Sequence, residues 1–247
     1  MSGYFIYNGL NTANITGFDV TGQDSYTVAS RNIGHQAIPG RSGDVLSDEG
    51  TYKQVKVVYH CTIDASEAVN GFSDILDTLS AALMTAKGYR ILADGYHPGV
   101  YRMAVPDGNI NIEALKPAAG SPYKVCNFDL TFSCKPQCYL SSGVEPVQVS
   151  SGDVLSNPTS FPASPVISIT GSGAVTIGTQ EIHVYPTCPT YPVIIDCETM
   201  DAYSNGGTNL NLFVSLPLAD IKLNPGNNTI TYDGPSAVSV TPRTWKL

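Results

Sequence analysis

Charge is scarce in this 247-residue chain: Asp, Glu, Lys and Arg together make up 14%, well under the quarter usual for globular domains. Basic residues are the scarcest, 13 against 21 acidic, for a formal net charge of −8. That balance leaves no electrostatic footprint for a phosphate backbone and argues against a sequence-specific nucleic-acid-binding module. A protein that lets DNA pass without holding it stays open. Long apolar runs are missing as well, so no segment reads as a membrane-spanning helix and membrane insertion is not expected. The opening MSGYFIYNGL has neither a basic n-region nor a cleavage-site pattern, so no signal peptide is expected.

Catalytic signatures are also missing. There is no P-loop, no dinucleotide fingerprint and no G-x-S-x-G elbow. Cys134 and Cys138 are the closest cysteine pair, and no histidine or third cysteine follows at zinc-ligand spacing. His35, His60, His97 and His183 each stand alone in strand or turn sequence. Asp196, Glu198 and Asp201 are close enough in sequence to suggest paired carboxylates. Side chains two apart on a strand, however, lie nearer than the separation an inverting glycosidase needs. The expectation is no enzyme, no metal site and no cofactor. A carbohydrate-binding module is the alternative, because Tyr185, Tyr191, Tyr203 and Tyr232 could stack on sugar rings. Without a secretory signal, the six cysteines read as reduced thiols.

What the chain does have is turn chemistry, with 23 Gly and 17 Pro, and short alternating strands. YFIYNG, ITGFDVTG and SYTVASR read as strands. In VKVVYHCTI, Val55, Val57, Tyr59, Cys61 and Ile63 share one face, and KVCNFDLTFSCKP repeats the pattern with Cys126, Phe128, Leu130, Phe132 and Cys134 inward. The segments on either side of His97-Pro98-Gly99 read as a hairpin. Phe72, Ile75, Leu76, Leu79, Leu83 and Ala86 recur at helical spacing. They predict one helix from about 66 to 87, capped by Asp64 or Ser66 and stopped at Gly88.

Composition shifts at SSGVEPVQVSSGDVLSNPTSFPASP, where a domain boundary is expected, with Val147, Val149, Val154 and Leu155 able to pair at a sheet edge. Beyond it come about seven closely spaced strands and no helix, the pattern of a β-sandwich. The fold class is therefore mainly β with one helix: an α+β domain over 1–140, then a sandwich over 141–247. Ten basic residues meet thirteen acidic ones over 1–139, and three meet eight over 140–247, so neither half is a basic partner module.

The stretch IPGRSGDVLSDEGTYKQVKVVYHCTI, residues 38–63, sets a mixed charge cluster before one of the strongest strands. An anion-binding loop, a hairpin tip and a subunit contact all suit it. The anion reading is weakened because the glycines lack a Lys-Ser/Thr ending and no helix follows.

Taken in order, YFIYNGLNT, ITGFDVTG, the 38–63 stretch, the helix and FDLTFSCKPQCYL resemble the N-terminal domain of siphophage distal tail proteins. NPTSFPASPVISITGSGAVTIG, YPVIIDCETMDAY, LNPGNNTITYDG and VSVTPRTW resemble the C-terminal galectin-like domain of the same family. The resemblance implies a structural virion protein of the phage tail tip, made in the host bacterial cytoplasm. It would form a homohexameric ring between the tail tube protein and the tail-tip or baseplate proteins, with genomic DNA passing through the central channel. The galectin-like domains would project outward, where receptor-binding proteins dock in some relatives. In that setting the 38–53 loop becomes a subunit surface. Arg41 and Lys53 would face Asp44, Asp48 and Glu49 of a neighbour.

Overall fold

The structure, a computed structural model, describes residues 3–24, 27–64, 72–110, 116–117, 124–217 and 220–247. It is mostly β, with a single helix among the described residues. Two compact units divide the chain, Met1–Cys138 and Tyr139–Lys246.

The first unit contains β1 (Phe5–Tyr7), β2 (Leu10–Asn11), β3 (Phe18–Gln23), β4 (Arg31–Gln36), β5 (Val45–Tyr52) and β6 (Val55–Asp64). Helix α1 (Phe72–Met84) follows, then β7 (Arg90–Asp94), β8 (Val100–Pro106), β9 (Lys116–Pro117) and β10 (Lys124–Leu140). The main sheet runs β2-β1-β7-β8-β10-β6-β3, with β9 on β10. It curls on itself. The Gly3 N–H donates to the Val20 carbonyl at 2.9 Å, which brings β3 back to the chain entering β1. Gly3 leaves room there for the Tyr96 ring, since a Cβ would lie 2.1 Å from its hydroxyl oxygen and force the ring to move.

The inward faces of β6 and β10 are the ones that alternation predicts, paired from Val125↔Asp64 to Cys134↔Val55. They close over an aromatic interior. Tyr59 stacks on Phe5 at 5.0 Å between ring centroids, and Phe132 meets both edge-on at 5.6 and 5.9 Å. Helix α1 adds Ile75, Leu79 and Leu83 to this core. It ends at Met84, short of the expected 87, and the Thr85 hydroxyl donates to the Ala81 carbonyl in its last turn. The expected caps at its start fall in or beside residues 65–71, which lie outside the described residues.

Two further expectations need correction. The strand expected in SYTVASR is absent over 27–30, and β4 begins at Arg31. The 38–51 segment is not one long loop entering β6, since Val45–Tyr52 is itself a strand. Both corrections have one cause: β4 and β5 pair with each other and, among the described residues, with no other strand. With no core to face, they carry no alternating apolar pattern to betray them.

The second unit contains β11 (Val147–Val149), β12 (Val154–Asn157), β13 (Val166–Thr170), β14 (Gly173–Ile177), β15 (Gln180–Val184) and β16 (Val193–Asp196). It continues with β17 (Asp201–Ser204), β18 (Val214–Ser215), β19 (Gly226–Asp233), β20 (Ala237–Thr241) and β21 (Trp245–Lys246). Two five-stranded sheets, β11-β20-β13-β16-β17 and β12-β19-β14-β15-β18, face one apolar core. Ile167, Ile169, Val193, Ile195 and Val240 enter it from one sheet, and Val175, Ile177, Ile182, Val184 and Ile230 from the other. The Ser/Pro-rich stretch supplies β11 and β12, an edge strand for each sheet. β17 went unanticipated, because its DAYS sequence is short and polar.

Phe132 is fully buried among the rings of the first core, so Phe132→Ala should destabilise the chain by about 3–5 kcal/mol. The Tyr7 hydroxyl is buried with no hydrogen-bond partner among the described residues. Tyr7→Phe should therefore be neutral or stabilising, by up to about 1 kcal/mol. Urea unfolding of the two variants beside the wild type measures both.

Candidate interaction surface

Strands β4 and β5 form a two-stranded arm between β3 and β6, with the pairs Ile33↔Asp48, Gly34↔Ser47, His35↔Leu46 and Gln36↔Val45. The eight residues of β5 reach about 27 Å when extended. Every residue from 34 to 51 is exposed. Among them are Ile38, Val45 and Leu46, the last 63% accessible. An isolated two-stranded ribbon is marginally stable in water, and its outer edges carry unpaired backbone groups ready for another strand.

Polar cross-links stiffen the ribbon from within. Arg31 and Asp48 form an ion pair at 3.1 Å. Asn32 Nδ2 donates to Glu49 Oε2 at 2.6 Å. Asp44 lies 3.9 Å from His35 Nδ1 near the tip. Asp48 and Glu49 thus already have partners in their own chain, while Arg41 and Lys53 face no carboxylate among the described residues. Arg41 sits in the tip, with its N–H on the Ile38 carbonyl, and the Lys53 N–H donates to Ser30 at 2.9 Å to close the base. All five predicted residues belong to this arm and its base, and all five are exposed.

The root of the arm is anchored by groups that sequence reading did not single out. Asp94 on β7 accepts from Tyr59 Oη at 2.6 Å, from Gln23 Nε2 at 3.3 Å and from the His97 N–H at 2.7 Å. Burial first, and then the Asp94 charge, push the Tyr59 hydroxyl well above its ordinary pKa, so it stays a donor. Arg102, buried on β8, donates to the carbonyls of Pro136 and Thr27 at 3.4 and 3.5 Å. Gln23 and Thr27 stand at the start of the arm. Asp94 and Arg102 therefore tie it to the curled sheet. The cavity beside them holds about 30 Å³, too little for a sugar or a nucleotide.

In the second unit, the suspected carboxylates are already engaged. Asp196 takes both ends of the Arg243 guanidinium, at 2.9 and 3.0 Å, with Glu198 at 3.8 Å. Asp201 accepts from Asn211. Of the four tyrosines, Tyr185, Tyr203 and Tyr232 do not gather. Tyr232 packs against the interior core and donates to the Val149 carbonyl. Tyr203 pairs with Ile194 on the outer face of one sheet, and Tyr185 lies beside His183 on the other sheet's side. They form no common stacking platform. No helix among the described residues is long and apolar enough to cross a membrane.

No family model matches the chain, and no curated protein sequence matches it. Among solved structures, it is similar to the crystal structure of the SPP1 Dit (gp 19.1) protein, described as a paradigm of the hub adsorption apparatus in phages infecting Gram-positive bacteria. The likeness covers 98% of this chain and 99% of that one, with a TM-score of 0.67 and 12% sequence identity. At that identity, what the two chains share is the fold, across both units.

All six cysteines are buried and unpaired, and burial pushes the thiols of Cys61, Cys134 and Cys197 up to about 12. The thiolate is the reactive form, so Ellman's reagent should label essentially no thiol in the native chain at pH 8 and all six after unfolding. Asp94→Ala would strand the buried Tyr59 hydroxyl and should cost about 1–3 kcal/mol. Asp48→Ala removes only exposed contacts, the Arg31 ion pair and the hydrogen bond from the Gly50 N–H, and should cost about 1 kcal/mol or less. Urea titration separates the two.

Proposed function

We propose that this chain is a distal tail protein of a long-tailed phage, the structural hub that joins the tail tube to the tail-tip, baseplate and receptor-binding apparatus. The observation that carries this reading is the likeness to a hub protein over both units of a single chain, from end to end. In this reading the first unit closes a homohexameric ring around the channel that DNA traverses. The second, a galectin-like sandwich, faces outward to adsorption proteins. The hub acts by assembly and needs no catalytic group.

The arm is the element that builds the ring. A cyclic assembly requires a heterologous contact, in which one surface of each copy meets a different surface of the next. A ribbon with open edges, exposed Val45 and Leu46 and a cationic tip at Arg41 supplies one half of such a contact. Strand pairing with the neighbour would satisfy the open backbone groups. The low charge and acidic balance suit a wall that DNA must slide past.

Negative-stain imaging and light scattering of the purified chain, alone and mixed with tail tube protein, test the reading. Six-fold rings are expected in at least one of the two samples. A strictly monomeric particle in both would overturn it. Replacing residues 36–45 with a two-residue Asn-Gly turn should leave the thermal transition unchanged and abolish rings. Arg41→Glu should weaken association several-fold. Rings that persist without residues 36–45 would leave the hub reading standing and remove the arm's tip from the contact.

A further inference from the structure

His60 lies on the outward face of β6, directly opposite Asp129 of β10 and Gly22 of β3. Its Nδ1 is 2.7 Å from Asp129 Oδ1, and its Nε2 is 3.1 Å from Asp24 Oδ1. The ring packs over Gly22 of β3, where a Cβ would sit in ordinary contact, 3.4 Å from His60 Cδ2. Asp24 follows β3 directly, its N–H on the Val58 carbonyl, and is the last described residue before the arm's root at Thr27. Carboxylates only accept hydrogen bonds, and a neutral imidazole has one N–H to give. Both contacts can be hydrogen bonds only when His60 carries two protons.

We propose that His60 is a proton-operated latch on the root of the β4–β5 arm. As the imidazolium it bridges Asp129 and Asp24 and ties the outgoing end of the arm to the sheet. On losing a proton it keeps the N–H on the closer partner, Asp129, and turns a lone pair toward Asp24, which is released. The arm's root then loses this side-chain tie and keeps the Asp24–Val58 and Lys53–Ser30 backbone bonds and the contacts of Asp94 and Arg102.

Of the other charged groups facing His60, the carboxylates favour the protonated form and the lysine opposes it. On the same face, Asp19 projects from β3, and Asp64 and Lys56 from β6. Lys56 is occupied by Asp107, at 3.0 Å, just beyond β8. The hydrogen bond to Asp129, followed by that to Asp24, raises the histidine above its ordinary pKa of 6.5. A raised value means that the latch is fully closed below pH 6.5 and opens as pH climbs through the shifted pKa. The window lies on the alkaline side of 6.5.

The latch can be read on the monomer. Only its effect on ring closure rests on the hub reading, so failure of either leaves the other testable. Hydrogen exchange of the full chain, corrected for intrinsic rates, should follow the Asp24 and Lys53 amides from pH 6 to 9. Wild-type protection should fall about three- to tenfold across that range, as loss of one hydrogen bond implies. His60→Gln should show the lower protection at every pH. In Asp129→Asn the neutral ring can give its proton to Asp24, so protection should stay high at pH 9. Imidazole nitrogen NMR should show both ring nitrogens protonated at pH 6. The proposal is overturned if His60→Gln keeps the wild-type pH profile, if Asp129→Asn loses protection as the wild type does, or if the ring is singly protonated at pH 6.

Discussion

Tyr59 holds the first unit together at the point where its apolar and polar interiors meet. Its ring stacks on Phe5 and meets Phe132 edge-on, while its hydroxyl donates to Asp94. A buried carboxylate is tolerated only when its lone pairs are satisfied. Tyr59, Gln23 and the His97 N–H satisfy those of Asp94. The same residue therefore sets the spacing of the curled sheet and anchors the polar group that holds the root of the arm. Interior packing and arm placement are two consequences of one side chain.

The fold was legible wherever a strand has one buried face. Val55 to Ile63 and Cys126 to Cys134 announce themselves by alternation because every second side chain enters the core. So did α1, whose apolar positions recur at helical spacing. The arm was not legible, since a ribbon exposed on both faces leaves no periodic imprint. Its composition of glycines and mixed charges marks exposure without marking strand. Asp94 and Arg102 were missed for a different reason. Their importance comes from contacts with residues 34 to 75 positions away, and no local motif records such a meeting. The pairing of Asp196 with Arg243 was hidden in the same way, across 47 positions.

The two units divide the chemistry of the chain between them. The second is a closed apolar sandwich whose suspected acids are locked in local bonds, with Asp196 chelated by Arg243 and Asp201 bonded to Asn211. The first carries a share of unsatisfied capacity on the arm. The arm offers open strand edges, exposed apolar side chains, and cations at Arg41 and Lys53 that face no carboxylate of their own chain among the described residues. Each of these groups gains energy by meeting a partner. That surface suits the assembly role proposed above.

The arm departs from and returns to two strands that are already neighbours, β3 and β6, and the Lys53–Ser30 bond closes its base. Loop closure is thus completed before the arm begins, so its length is decoupled from the sheet beneath. Adding or removing a pair of facing residues would extend or shorten the ribbon by one rung without shifting the register of any strand in the curled sheet. Evolution could tune the reach of such a protein as one adjusts a telescoping rod, while the mount stays unchanged.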